Sequence, residues 1–353
     1  MIKVYTPVAP IDIFVEWFGN TSDFQRCDNF NEVVAQEIKI ACVPMYFNLN
    51  GYEFDYHQFD LLLISDIEFN HLRPVQQWLE TSEIKNYLVA LGGLEGYTAS
   101  GNFTYRPWWT FNLMNKNTYT PSPDYPKPYV YDALLGAKKP HRDFILAKLH
   151  NSDLADKSIV NYRSVFHAPE STDQEIQQYL QQNDLTYPYP YLSKNLDPAW
   201  EVSDNITYQI SDQVPWGIYK QTYYSIIPET VYERVFFFSE KPAKVLLAKR
   251  LFVVFSSQHY LQNMRNILGF KTFDGIIDES YDLEPNKITR FNMAFEQLQW
   301  LLTQDHQLIQ HKSKEIREHN HRRLFELKQE SLATMKAMVY NKLEEIKNVN
   351  SLQ

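Results

Sequence analysis

The sequence predicts an α/β protein of two parallel-sheet domains facing a cleft, with a C-terminal helical extension. Three observations support this fold class. Short apolar runs bounded by polar corners alternate with helical segments in both halves of the chain, a proline-rich segment lies between the halves, and the chain is helical from Lys287 onward.

Composition sets the class of protein. The 353 residues are enough for two domains of roughly 150 residues each. Hydrophobic residues make up 44% and charged residues 22%, the balance of a soluble globular protein. The net charge of −9 argues against a nucleic-acid partner held by a basic face. The 24 Tyr, 22 Phe and 7 Trp include side chains of the kind on which sugar rings stack, although most are expected to fill the core.

Cysteine usage and hydropathy predict the compartment. Cys27 and Cys42 are the only cysteines, and their spacing fits no zinc site, which indicates a reducing environment. The N-terminus lacks a secretory pattern, and no run approaches the ~20 apolar residues of a membrane span. We therefore expect a cytoplasmic protein without a membrane span.

The N-terminal domain, residues 1–118, is expected to lie on the acceptor side of the cleft. A buried strand over 59–65 ends at Asp66 and Glu68, and a second strand, 87–91, ends at Gly92-Gly93. Ligand sites lie beyond the carboxyl ends of parallel strands. Asp66, Glu68 and His71 are therefore candidates for the general base that an acceptor hydroxyl needs. The alternative is that these residues cap helices and turns.

The segment 119–128 is predicted to be the linker between the domains. It contains four prolines, and repeated prolines sustain neither a helix nor a central strand. Trp108 and Trp109, just before it, could form a platform for an acceptor or pack the linker down.

The C-terminal domain, 129–305, opens with a strand over 129–135. A basic corner follows, Lys138-Lys139-Pro140-His141-Arg142, and then a helix over 143–149. Arginine binds two phosphate oxygens at once through its planar fork, and lysine acts as a point charge. Lys138 and Arg142 are therefore predicted to contact phosphate.

A second polar corner lies within residues 233–255. The apolar runs 235–238 and 251–255 are typical of covered strands in a parallel sheet, with the helix between them as the crossover. Ser239, Glu240, Lys241 and Lys244 collect at the start of that helix. The unpaired amides there, with an acid and a lysine, can hold a ribose hydroxyl and a phosphate side by side. An ordinary helix start capped by Ser239 is the competing interpretation.

Several enzyme motifs are missing from the sequence, among them the glycine-rich nucleotide loops, the metalloprotease helix and any Asp-x-Asp pair. Fixed cations and helix amides can stabilise a diphosphate leaving group without a metal. With acids at Glu229 and Glu240, the second half predicts a metal-independent nucleotide-sugar site, in which Glu229 is a catalytic candidate. No cofactor is expected beyond the donor itself.

The second half also resembles a family of glycosyltransferase-like proteins from phage, viral and bacterial genomes, similar to α-1,3-fucosyltransferases and more distantly to exostosin-like transferases. The resemblance spans roughly residues 129–300. The matching segments are Ala133–Arg142, Glu229-Thr230, Phe238–Lys244, Leu251–Val254, Leu268–Phe273 and Asp278–Asp282.

The resemblance implies the GT-B fold, two facing Rossmann-like domains. It implies that Glu240 contacts the donor ribose, that Lys241 contacts the diphosphate, and that Arg142 holds the diphosphate from the other corner. Ser239 stands where the fucosyltransferases have threonine. Glu233 and Glu240 are seven residues apart and not eight, so the pattern of retaining enzymes does not fit and the stereochemical outcome stays open.

Together these features predict a glycosyltransferase that moves a sugar from a nucleotide-diphosphate donor to a glycan or other hydroxyl acceptor. One alternative is a non-catalytic structural or carbohydrate-binding protein on the same scaffold, and another is a glycosyltransferase acting on hydroxylated DNA bases. The C-terminal helices, 306–353, carry an apolar stripe for docking or for a homo-oligomer contact. Their basic cluster, 317–323, is expected to be a solvated face.

Overall fold

The computed structural model describes residues 1–6, 13–19, 22–44, 56–66, 72–81, 84–94, 101–120, 126–167, 173–188, 194 and 213–351. The chain divides into two compact units. Unit 1 comprises Met1–Trp109 and Glu326–Gln353, and unit 2 comprises Thr110–Phe325.

Unit 1 is built on a parallel sheet. Its described strands are β1 (Ile2–Tyr5), β2 (Phe24–Cys27), β3 (Ile40–Pro44), β4 (Leu61–Asp66), β5 (Tyr87–Leu91), β6 (Gly93–Leu94) and β7 (Phe103–Tyr105). Its described helices are α1 (Ile13–Phe18), α2 (Phe30–Val34) and α3 (Leu72–Thr81), with a short 3-10 helix at Tyr56–Gln58. Six strands pair in the order β2-β1-β3-β4-β5-β7, and every pairing is parallel.

Unit 2 contains a second parallel sheet. Its described strands are β8 (Tyr129–Lys138), β9 (Ser158–His167), β10 (Thr222–Pro228), β11 (Phe236–Phe237) and β12 (Leu251–Phe255). The helices are α4 (Trp108–Lys116), which begins at the end of unit 1, α5 (Pro140–His150), α6 (Gln174–Gln182), α7 (Trp216–Tyr219), α8 (Glu240–Leu247), α9 (Tyr260–Asn266), α10 (Lys287–Leu302) and α11 (His306–Lys312). Short 3-10 helices lie at Ala155–Lys157 and Ser280–Leu283. The strand order is β12-β10-β8-β9, all parallel.

The last helix, α12 (Lys314–Ser351), belongs to unit 2 up to Phe325 and to unit 1 from Glu326. In unit 1 its apolar stripe lies in the hydrophobic core with the strands of the sheet. The buried residues of α12 in that core are Met335, Val339, Leu343 and Ile346. The stripe is therefore used for docking within the chain, and the homo-oligomer stays a prediction.

The basic cluster 317–323 at the start of α12 is not a simple solvated face. Arg317 donates to the carbonyl of Lys249 at 2.8 Å, and Arg323 donates to the carbonyl of Leu268 at 2.8 Å. These carbonyls lie just past the ends of α8 and α9, where a helix dipole favours positive charge. The cluster thus fastens this part of α12 to two helices of unit 2.

The predicted class, α/β with parallel sheets and a C-terminal helix, is confirmed. β4 illustrates why the sequence predicts it, because all six of its residues are buried and five of them are apolar or small. Residues 121–125 of the predicted linker lie outside the described residues.

One strand assignment is wrong. The aromatic run at 235–238 forms only the two-residue β11, and the sheet neighbour of β12 is β10. The crossover helix α8 also starts earlier than expected, at Glu240 and not after Pro242. A proline in the first helical turn removes no intrahelical hydrogen bond, so the helix can include it.

The corner between β8 and α5 shows a similar shift. β8 continues to Lys138 through an irregularity at Gly136, whose φ of +68° suits glycine. Helix α5 begins at Pro140, the first-turn position that proline favours. His141 and Arg142 therefore lie in the first turn of α5. Within the described part of the chain, no helix is long and apolar enough to cross a membrane.

Candidate active site

The candidate site lies at the carboxyl edge of the sheet in unit 2. β8, β10 and β12 are neighbours there, so the corners that follow them meet at one edge. The corner after β8 leads into α5, and the segment after β10 leads through β11 into α8. Two helix N-termini therefore belong to this edge of the sheet.

Glu229 connects the elements of this edge. It follows β10 directly and is fully buried. Its carboxylate accepts hydrogen bonds from the amide of Thr230 at 2.9 Å and from the hydroxyl of Tyr260 at 3.2 Å. Ser239 donates two more, from its amide at 2.8 Å and from its hydroxyl at 2.6 Å. Burial raises the pKa of Glu229, while Lys241 and Ser239 oppose that rise. With its oxygens so occupied, Glu229 has the geometry of a positioning residue, and its catalytic role stays a prediction.

Ser239 is the N-cap of α8. Its hydroxyl accepts a hydrogen bond from the amide of Lys241 at 3.1 Å while donating to Glu229. The capping role that competed with the ligand-binding one is therefore present. The two roles are compatible, because the cap fixes Glu240 and Lys241 at the edge of the sheet.

Two ammonium groups converge on Thr230. Lys139, the residue before α5, donates to the Thr230 carbonyl at 2.9 Å. Lys241, in the first turn of α8, donates to the Thr230 hydroxyl at 2.8 Å. The basic corners that the sequence separates by about a hundred residues thus meet at a single residue. The two like charges create a positive potential that an anion would relieve.

Glu240 is the acid of this cluster. Burial alone raises its pKa, but the charges of Lys241 and Lys244 outweigh burial and lower it to about 2. The Lys241 ammonium lies 3.0 Å from a carboxylate oxygen of Glu240. Glu240 is therefore ionised at neutral pH and offers acceptor oxygens only.

Arg142 lies in the first turn of α5 and is 5% exposed. Its Nη1 donates to the carbonyl of Ala137 at 2.9 Å, and its Nε has no hydrogen-bond partner among the described residues. Burial lowers the pKa of Arg142 to about 10, and the charges of Glu240 and Glu229 oppose that decrease. The guanidinium is thus within electrostatic range of both acids, at the same edge as Lys241.

His141 is the buried neighbour of these cations. Burial, with the charges of Arg142 and Lys139, holds its pKa well below the ordinary value, so the ring is neutral. Its Nε2 lies 2.7 Å from the carbonyl of Glu229, and since a carbonyl only accepts, Nε2 carries the proton. This bond joins α5 to the segment after β10.

Lys138 and Lys244 flank the cluster. Lys138 is the last residue of β8. Burial raises the pKa of Asp143, and the charge of Lys138 opposes that rise. Lys244 lies one helical turn after Glu240 and is 6% exposed. The structure thus brings Arg142, Ser239, Glu240, Lys241 and Lys244 to one edge, with Lys138 beside them.

The candidates for the general base belong to unit 1. Asp66 is the last residue of β4 and is 3% exposed, at the carboxyl edge of that sheet. Glu68 and His71 lie outside the described residues. All three stay predictions.

Sequence reasoning placed His141 in the basic corner and Thr230 in a matching segment without giving either a role, and it did not single out Tyr260 as part of this site. The signal for Thr230 and His141 was their position directly beyond β10 and β8. Tyr260 offered no signal, because it packs from α9 and reaches Glu229 only in the folded chain.

Comparisons with known proteins add a fold likeness. No protein-family model matches the chain, and no curated protein matches it. The chain is similar to the solved structure of T4 phage BGT in complex with UDP and Mn2+, with a TM-score of 0.39 and 12% sequence identity, over 97% of this chain and 99% of that chain. A likeness with this TM-score and sequence identity supports no conclusion about function.

The described residues contain no group of three or more His, Cys, Asp and Glu side chains that could hold a metal ion. Metal independence stays a prediction.

Proposed function

We propose that the protein is a glycosyltransferase that binds a nucleotide-diphosphate sugar at the carboxyl edge of the sheet in unit 2. The observation that carries the proposal is the meeting of Lys139 and Lys241 at Thr230. Cations from two helix starts are thereby directed at one place, which suits a ligand with two linked phosphates.

The charge of the cluster supports an anionic ligand. The cations Lys139, Arg142, Lys241 and Lys244, with Lys138 beside them, outnumber the acids Glu229 and Glu240. An anion bound there would relieve the repulsion among the cations. Arg142 strengthens the argument, since its buried Nε has no acceptor in the described part of the chain.

The roles of the residues follow from their chemistry. Glu240, ionised with a pKa of about 2, accepts hydrogen bonds from the ribose hydroxyls. Lys241 and Arg142 bind the diphosphate, and Lys138 and Lys244 add positive potential around it. Ser239 and Glu229 hold the start of α8 in place.

The reaction breaks the bond between the anomeric carbon of the sugar and the diphosphate oxygen. The electron pair stays on the leaving diphosphate, whose developing charge the fixed cations stabilise without reorganisation. The acceptor hydroxyl bonds to the anomeric carbon and loses its proton to a base. For that base we keep Asp66 and Glu68, and we propose a glycan or another hydroxyl compound as acceptor and a metal-independent reaction.

Thermal shift against UDP- and GDP-sugars tests the proposal, with CMP-sugars, which carry one phosphate, for comparison. A ligand at 100 times its Kd stabilises the folded state by about 2.7 kcal/mol, so at least one nucleotide should raise the Tm. Lys139→Ala should reduce that shift. Lys312→Ala removes an exposed lysine of α11 and is the matched control that should keep it. If no nucleotide shifts the Tm of the wild type, the proposal fails and a non-catalytic role is favoured.

A further inference from the structure

The loop between β10 and β11 contains a strained turn. The amide of Val235 donates to the carbonyl of Glu233 at 2.7 Å, and the residue between them, Arg234, has a φ of +60°. A three-residue turn with positive φ at its centre is the rare, high-energy form of the γ-turn. An arginine at its tip is held in a conformation that glycine or asparagine adopts at lower cost.

The position of this turn in the fold differs from the places where non-glycine residues commonly have positive φ. Four described non-glycine residues have positive φ, namely Asp184, Arg234, Lys249 and His259. Asp184 and Lys249 follow the ends of α6 and α8, where helices commonly use this conformation. Arg234 and His259 lie beyond β10 and β12, at the edge that carries the candidate site. Backbone strain of this kind persists where the surrounding structure fixes it, often at ligand sites.

The loop around Arg234 is indeed fixed. Its neighbours are bound by other parts of unit 2, through Ser256 Oγ to Val231 O at 3.0 Å, Tyr232 OH to Asp173 at 3.0 Å, Lys287 to Glu233 at 2.7 Å, and Ser257 Oγ to Val235 O at 2.9 Å. The loop also leaves the site at Thr230, which Lys241 contacts, and returns to it at Ser239.

Arg234 itself is exposed, and its side chain makes no hydrogen bond, ion pair or ring contact with any described residue. A rigid turn therefore presents an unpaired guanidinium beside the site. Arg234 lies four positions after Thr230, so the two backbones are at most ~14 Å apart. Arg234 and the residue that Lys241 contacts therefore lie on one short loop.

We propose that Arg234 binds an anionic group, a carboxylate or a phosphate, that the substrates carry in addition to the diphosphate. This inference rests on the proposed function, in which Lys241 and Arg142 already bind the diphosphate. The planar fork of arginine suits both anions. The group could belong to the donor sugar or to the acceptor, and the experiment separates these two sources.

The donor is tested with pairs that differ by one carboxylate, UDP-glucose with UDP-glucuronate and GDP-mannose with GDP-mannuronate, by isothermal titration calorimetry. Arg234→Asn removes the charge and tolerates the turn, and Arg234→Lys is the matched variant that keeps the charge. If the donor carries the group, wild type prefers the acidic member of a pair. That preference should fall about fivefold to tenfold in the Asn variant and persist in the Lys variant.

The acceptor is tested by titrating glucose and glucose 6-phosphate into the complex with UDP or GDP. If the acceptor carries the group, wild type prefers the phosphorylated sugar and the Asn variant loses that preference. The inference is overturned if wild type shows neither preference, or if the preference that wild type shows survives within twofold in the Asn variant. Failure of the proposed function has a different signature, since wild type would then bind neither the UDP nor the GDP compounds.

Discussion

The carboxylate of Glu229 accepts hydrogen bonds from both the amide and the hydroxyl of Ser239, at 2.8 and 2.6 Å. This relationship ties the end of β10 to the start of α8. It places Lys241, two residues further on, against the hydroxyl of Thr230. A buried acid that touches no solvent thus determines where the lysine of the neighbouring helix points.

Replacing Glu229 should therefore destabilise the fold. In Glu229→Gln, an NH2 group replaces one of the two carboxylate oxygens that accept hydrogen bonds from Thr230, Ser239 and Tyr260. Because an NH2 group donates and does not accept, some of these buried donors lose their partner. We expect a loss of about 2–3 kcal/mol in the free energy of unfolding, measured by urea denaturation. Glu296→Gln, an exposed position on α10, should change it by less than about 0.5 kcal/mol. Equal stability of the two variants would contradict the connecting role.

The pKa of Glu240, in the first turn of α8, predicts how the free energy of unfolding depends on pH. The pKa of Glu240 in the folded protein, about 2, lies below its ordinary value of 4.5, so folding favours the ionised form. The resulting stabilisation, on the order of 3 kcal/mol, is present above about pH 4.5 and is lost as the pH falls toward 2. The difference in unfolding free energy between wild type and Glu240→Gln should therefore shrink between pH 5 and pH 3. A constant difference over that range would show that Lys241 and Lys244 do not act on Glu240.

A substitution at Gly269 tests whether the contact of Arg323 attaches the start of α12 to unit 2. Its φ is +73°, and a Cβ there would lie 2.9 Å from Nε of Arg323, which donates to the carbonyl of Leu268. Gly275 is the matched control, with a φ of +82° and no atom within 4 Å of the added carbon. Both alanine variants bear the cost of positive φ, but Gly269→Ala should lose about 1–2 kcal/mol more, as measured by thermal unfolding. Equal losses would mean that the Arg323 contact does not hold the helix.

The sequence predicts the main features of unit 2 because they depend on local pattern. The apolar run at 251–255 and the polar corner at Ser239 lie together in the chain, and strand and cap follow from them. The partner of β12 was mispredicted because a buried aromatic run does not reveal whether it enters the sheet or packs beside it. The meeting of Lys139 with Lys241, and the reach of Tyr260 to Glu229, depend on sheet order and on contacts distant in sequence.

The basic cluster of α12 was misread for the same reason. Nothing in the sequence indicates that Arg317 and Arg323 face the ends of two other helices. Composition alone favours a solvated surface for such a run. The roles of Asp66 as the general base and of Arg142 as a diphosphate contact stay predictions.

The most direct test of the central claim is the affinity of Lys241→Ala for the nucleotide that most stabilises the wild type, measured by isothermal titration calorimetry. Lys312→Ala is the control, and circular dichroism confirms that each variant is folded. The account predicts that Kd rises about tenfold or more in Lys241→Ala and stays within twofold in the control, because a charged contact to phosphate contributes about 1.5–3 kcal/mol. A folded Lys241→Ala protein with the affinity of the wild type would contradict a diphosphate site at this edge of the sheet.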